Sequence, residues 1–224
     1  MPTPASGSDL WLAERLSKPE ADVRRVVAEV IRKPELVVAL LEGPESRFAR
    51  VRFGSSKALR LLSEQRPELL YPYFRVVVAQ LDNPNNILRW NAIYMLGQLA
   101  AADRKGKIDR LVDRYLEPIA GPQLIAAATT IAGAAAIAAA KPHLAGRIEA
   151  AILNVGRARY QTEECRNVAM GHAISALDRI FQLLPDREAA LRFGREQTEN
   201  PRPATRRKAE RFLKKWSDRG PVSA

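Results

Sequence analysis

The sequence predicts an all-α fold, a right-handed solenoid (superhelix) of antiparallel helix pairs, and three observations predict it. Polar turns alternate with stretches whose apolar residues recur at helical spacing. This alternation returns at a period of roughly forty residues, which marks a repeat architecture. When the first helices of the pairs are superimposed, the small residues Ser55, Ala92, Ala128, Ala169 and Ala209 fall in one column. Leu59, Leu96, Ala132, Ala173 and Leu213 follow four places later, and Arg52, Arg89, Ile125, Arg166 and Arg206 stand three places earlier.

In order, residues 1–7 read as a flexible tail and 8–44 as N-terminal capping helices. Ser8 caps a short helix to Ser17, Pro19 opens the next, and Gly43-Pro44 ends the group. The array runs over 45–219. Its first pair, 45–82, has a helix to Gln65, a break at Arg66-Pro67 and a partner carrying Leu70, Phe74, Val77 and Leu81. The second pair, 83–118, contains the clearest copy. Leu88, Ala92, Met95, Leu96 and Leu99 line one face, and Trp90, Ile93 and Tyr94 a second, as in a helix with neighbours on two sides. The third, 121–156, opens at Gly121-Pro122 with an alanine-rich helix to Ala140. In the fourth, 162–199, Thr162 caps the first helix and Pro185 breaks it from its partner. A final capping helix, 201–219, has the stripe Ala209, Phe212, Leu213 and Trp216, and 220–224 is a tail.

An arginine near a helix start opposes the local dipole, so its recurrence needs another cause. Acceptance by a carboxylate or a turn carbonyl is the expected one, with Asp82 a candidate partner for Arg89. The repeated element is apolar-Arg-x-x-small-x-x-x-apolar with Asp or Asn in the preceding turn. Val51-Arg52…Ser55…Leu59 and Leu88-Arg89…Ala92…Leu96 are its best copies. Over Glu45 to Trp216 the chain resembles the HEAT and armadillo-like helical repeats. That resemblance implies a curved stack in which second helices line a concave, partner-binding side. Ile125 departs from the arginine column.

The formal charge of +11 favours acidic partners. Over half the excess lies in the last 24 residues, which carry eight basic and two acidic side chains. The single cysteine, Cys165, excludes an internal disulfide and a cysteine-rich metal knuckle. The first eight residues have neither a basic start nor an apolar run, unlike a signal peptide, so a soluble, cytoplasmic setting is expected. Leu124 to Ala140 carries no charge but is short and alanine-rich for a membrane span, and no membrane association is expected.

No metal site, cofactor or catalytic residue is expected. Cys165 and His172 are two potential ligands on one helix, short of the usual three or four. Their seven-residue separation, about 10 Å along the axis, exceeds hydrogen-bond reach. A HEAT-like DNA glycosylase is a weaker enzymatic alternative; it needs exposed aromatics and a carboxylate on the second helices, and the tryptophans here stand elsewhere.

The leading expectation is a non-enzymatic scaffold binding a protein partner, for which the net charge admits an acidic one. Arg75, Arg110, Arg114, Arg147, Arg192 and Arg195 on the second helices would do the binding. The alternative is sequence-nonspecific nucleic-acid binding through the basic end, with Arg206, Arg207, Lys208, Arg211, Lys214 and Lys215 on phosphates. A solvated polar cap explains that end equally well. The oligomeric state is open at this level.

Overall fold

The computed structural model describes residues 7–18 and 22–217. The expected tails and Pro19 lie outside the described residues, apart from Gly7, which starts α1 (Gly7–Leu16) one residue ahead of the expected cap Ser8. The described residues form helices and turns without a strand. The chain divides into two units, 1–104 and 105–224, and the division falls inside the second expected pair.

In the first unit, α2 (Val23–Arg32) is capped by Asp22, whose carboxylate accepts from the Arg24 N–H at 2.9 Å. Its Val26, Val27 and Val30 are buried. After α3 (Leu36–Glu42) comes α4 (Ala49–Gln65), burying Val51, Ser55, Ala58, Leu59 and Leu62. Pro67 starts the short α5 (Pro67–Leu70), Pro72 lies in a 3₁₀ turn, and α6 (Phe74–Ala79) completes a broken second helix. Next, α7 (Asn86–Leu99) packs on α4 with Leu88, Ala92, Met95, Leu96 and Leu99 buried as expected. Asn91 donates to the Ser56 hydroxyl at 2.8 Å, and the Arg60 guanidinium lies 4.0 Å from the Tyr94 ring centre.

In the second unit, α8 (Lys107–Leu116), α10 (Ala145–Leu153) and α12 (Arg187–Glu196) are second helices. The first helices α9 (Leu124–Ala140), α11 (Glu163–Ile180) and α13 (Pro203–Trp216) stack in sequence, α11 against both neighbours. Thr162 caps α11 by accepting from the Cys165 N–H. Phe181 stacks on Trp216 at 4.4 Å and meets the Phe212 edge at 5.5 Å, which seats α13.

One column needs correction. In α9, Ile125 is 51% exposed and Ala132 is exposed, whereas Ala127 and Ile131 are fully buried. The inward register is therefore Leu124, Ala127 and Ile131, one residue earlier than the alignment through Ala128. An alanine-rich helix offers no contrast of side-chain size between its faces, so periodicity cannot fix its rotation.

The arginine column has a structural cause. Ser46, Asn83 and Asn200 hold nearly the same extended backbone, with φ of −61, −62 and −60° and ψ of 137, 130 and 134°. Each side-chain oxygen accepts the N–H two residues on, at 3.2, 2.8 and 2.9 Å. Each carbonyl accepts the guanidinium six residues on: Arg52 at 3.0 Å, Arg89 at 3.2 Å and Arg206 at 2.9 Å. This staple joins a connection to the helix it starts. Tyr160 occupies the corresponding place before Arg166 and cannot make it.

Close approach is also set by absent side chains. A Cβ on Gly43 would lie 2.0 Å from the Ser55 hydroxyl oxygen, both residues being buried. Gly43→Ala is expected to lower the unfolding free energy by about 1–3 kcal/mol through overpacking. Gly156→Ala, whose Cβ meets nothing nearer than the Met170 methyl at 3.9 Å, should be near neutral. Urea denaturation of both variants checks this, and equal effects would contradict it.

Candidate functional site

The second-helix layer of the second unit is laced by ion pairs. Asp109 on α8 lies 2.7 Å from the Lys141 ammonium and also meets His143 Nε2. Asp113 pairs with Arg147 of α10, and Arg195 pairs with Glu188 within α12. Glu149, 4% exposed on α10, accepts the Asp186 N–H at 3.3 Å, and Asp186 caps α12 through the Ala189 N–H. The Lys141 hydrogen bond, then the His143 contact, draw the Asp109 carboxyl down to about 2. Burial pushes the Glu149 carboxyl above its ordinary range, with the Asp186 N–H opposing.

Beside these pairs a groove of about 590 Å³ opens between α10 and α12. Ala150, Ala151, Leu153, Ala189, Phe193 and Met170 give it apolar walls, and Asn154, Arg157, Arg192, Glu196 and Gln197 polar ones. Its base is fixed by a buried amide cluster, in which Asn200 donates to Asn167 at 3.2 Å and Gln197 at 2.9 Å. A second cavity of about 540 Å³ is lined by Arg157, Ala158, Arg159, Tyr160, Thr162, Glu163 and Arg166.

The six expected second-helix arginines are all exposed but do not act as a set. Arg75 stands on α6 of the first unit. Arg110 reaches the Lys105 carbonyl only at 3.5 Å, and Arg114 is exposed on α8. Arg147 and Arg195 are held by carboxylates. Only Arg192 lines the groove, and its cationic companions Arg157 and Arg159 lie in the turn and extended segment after α10, off the helical columns. The run Arg157-Ala-Arg159 in a glycine-preceded turn was the available signal.

The basic end also divides. Arg206 is stapled to the Asn200 carbonyl, and Lys215 lies 2.7 Å from Asp178. Half-buried Lys208 donates to the Gly171 carbonyl at 2.9 Å, with its ammonium destabilised first by burial and then by Arg211 and Arg202. Arg207, Arg211 and Lys214 form the outward set.

Cys165 and half-buried His172 share α11, and burial, followed by Lys208, lowers the His172 pKa. Among the described residues no group of three or more His, Cys, Asp and Glu could hold a metal ion. No described helix is long and apolar enough to cross a membrane. The indoles are used in packing: Trp11 donates to Glu29 at 3.3 Å, Trp90 is half-buried on α7, and Trp216 donates to Asp178 at 2.7 Å.

No family model matches the sequence, and no curated protein matches it. Solved structures do. A designed armadillo repeat protein, YIII(Dq)4CqI, matches at TM-score 0.55 and 15% identity over 91% of this chain and 98% of that one. A structure of the Pds5–Scc1 complex matches at 0.56 and 13% over 85% of this chain, which spans 29% of that chain. The designed armadillo repeat protein YIII(Dq.V1)4CPAF in complex with the peptide (KR)4 matches at 0.51 and 14%, over 91% and 97% of the two chains. At such identities the likeness is one of fold, and the fold is an armadillo/HEAT-type α-solenoid.

Half-buried Asp109 and buried Glu149 predict opposite pH responses. A carboxyl drawn down on folding stabilises above its ordinary value of 3.8 and loses that contribution as pH falls towards about 2. A carboxyl pushed up stabilises when protonated, and the contribution is lost as pH rises from its ordinary value of 4.5 through the folded one. Asp109→Asn should therefore flatten the acid loss of stability between pH 4 and 2. Glu149→Gln should raise stability at pH 7 with little change at pH 3. A urea-denaturation series across pH measures both, and parallel curves for wild type and variants would contradict the assignments.

Proposed function

We propose that this protein is a non-enzymatic repeat scaffold that binds an extended segment of a partner protein on its second-helix side, the concave side of such repeats. The groove between α10 and α12 carries the reading, because there a cleft with apolar walls opens between second helices. The first helices there stack on one another and leave a smaller cavity of about 310 Å³ between α11 and α13. The solved neighbours support a binding role at the level of fold, since one is a protein complex and another holds a peptide. The net charge of +11 favours an acidic partner.

Ala150 is exposed at the groove, so Ala150→Arg fills the cleft without disturbing the core. In affinity capture from nuclease-treated lysate, wild type should retain a partner protein that Ala150→Arg loses at unchanged melting temperature. Capture indifferent to this substitution would remove the groove from the function.

Contact with nucleic-acid phosphates through α13 is the second reading, favoured by the outward set Arg207, Arg211 and Lys214. On that reading a random duplex binds with steep salt dependence. Replacing each of the three by Glu then lowers the slope of log K against log salt by about one per lost contact. No duplex binding at low salt would eliminate it.

A further inference from the structure

We propose that the cavity formed by Arg157, Arg159 and Arg166 is the acid-docking half of a bipartite peptide site whose other half is the α10–α12 groove. The occupant is an extended peptide with an Asp/Glu cluster beside one large apolar residue. The proposal rests on the scaffold reading and specifies its ligand.

Four observations converge. The cavity and the groove share Arg157, so they are adjoining compartments. Arg166 and Met170 stand four residues apart on α11 and share one helix face, Arg166 lining the cavity and Met170 the groove. Arg166 is not stapled as Arg52, Arg89 and Arg206 are. Its Nη2 makes only a 3.6 Å ion pair with Glu163, and its Nε is buried without an acceptor, as is that of stapled Arg52. Among the described residues, Arg157, Arg159 and Arg192 have no acidic partner, whereas Arg147, Arg195, Arg202 and Lys215 do.

The platform is also held in place. A Cβ on Gly121 would lie 2.1 Å from the Arg159 carbonyl oxygen, and Gly121 has φ of +90°. The Tyr160 hydroxyl donates to the Ile119 carbonyl at 2.6 Å. The segment bearing Arg159 is thus pinned to the turn before α9, which limits the ordering cost of binding. The acids on the two linings are Glu163, on the rim beside Arg166, and Glu196 beside Arg192, so four arginines face two carboxylates. Guanidinium groups without internal acceptors suit peptide carboxylates, which they bind bidentately. The apolar residue would sit between Met170 and Phe193.

The test is selection of displayed random dodecapeptides against the full chain, followed by affinity measurement on the enriched sequences. Asp/Glu clusters next to Leu, Met or Phe should be enriched. The exposed, unpaired pair Arg157→Glu and Arg159→Glu should weaken those peptides about tenfold or more and remove most of the salt dependence. Ala150→Arg should abolish binding. Peptides that respond to Ala150→Arg but not to the arginine reversals overturn the acid-docking half and leave the scaffold reading standing. Enrichment of basic peptides likewise overturns the proposal, and no enrichment overturns both readings. Displacement of the selected peptides by a random duplex in proportion to its binding would reassign the arginines to nucleic acid.

Discussion

Helices in this protein are allowed to touch where side chains are missing, and the rest of the architecture depends on that constraint. Gly43 receives Ser55, Gly171 receives Thr205, and Gly194 receives the Phe212 ring, each at a distance that leaves no room for a methyl group. Buried small residues at Ala92, Ala127, Ala169 and Ala209 do the same along the first helices. Close backbone approach lets the larger neighbours interdigitate at interior density. With the first helices packed this way, their inward faces are buried against one another. The groove of about 590 Å³ lies instead between second helices, against about 310 Å³ between α11 and α13.

The turns have their own rule, and its energetics are legible. An arginine in the first turn of a helix is opposed by the dipole by roughly 0.3–1 kcal/mol. A charge-assisted hydrogen bond to a carbonyl contributes about 1.5–3 kcal/mol, so the bond outweighs the dipole. Ser46, Asn83 and Asn200 each set the carbonyl by accepting the N–H two residues on, and Arg52, Arg89 and Arg206 close onto it. Where Tyr160 replaces the short polar residue, its hydroxyl goes to Ile119 instead and Arg166 is released. A tyrosine in the repeated turn thus leaves the arginine without the backbone staple that its counterparts make.

The sequence carried the helix pairs well because burial on one helical face leaves a period that can be counted. α7 matches its expected face residue for residue, and Thr162 caps the helix it was expected to cap. The rotation of α9 was not legible, since alanine on every side erases the size contrast that reports the inward face. The site was less legible still. The second-helix arginines are exposed, but which of them meet carboxylates depends on pairs such as Asp113 with Arg147, set by the stacking of separate helices. Arg157 and Arg159 escaped because a turn has no period.

Net charge points to a class of partner, and pairing decides where on the surface that charge is available. Lys141, Arg147, Arg195, Arg202 and Lys215 each lie against a carboxylate, so their positive charge is largely spent within the fold. On α13, Arg206 and Lys208 are further committed to backbone carbonyls, which leaves its outer face with a cap's worth of solvated charge. The cluster around Arg157 is much smaller than the basic end, yet Arg157 and Arg159 have no acidic partner and adjoin an apolar cleft. A ligand gains most where cations are uncompensated and an adjacent surface can bury carbon, because specificity comes from that combination and long-range attraction from the total. The repeat fold supplies the combination at the turn between α10 and α11, where its own stapling rule lapses.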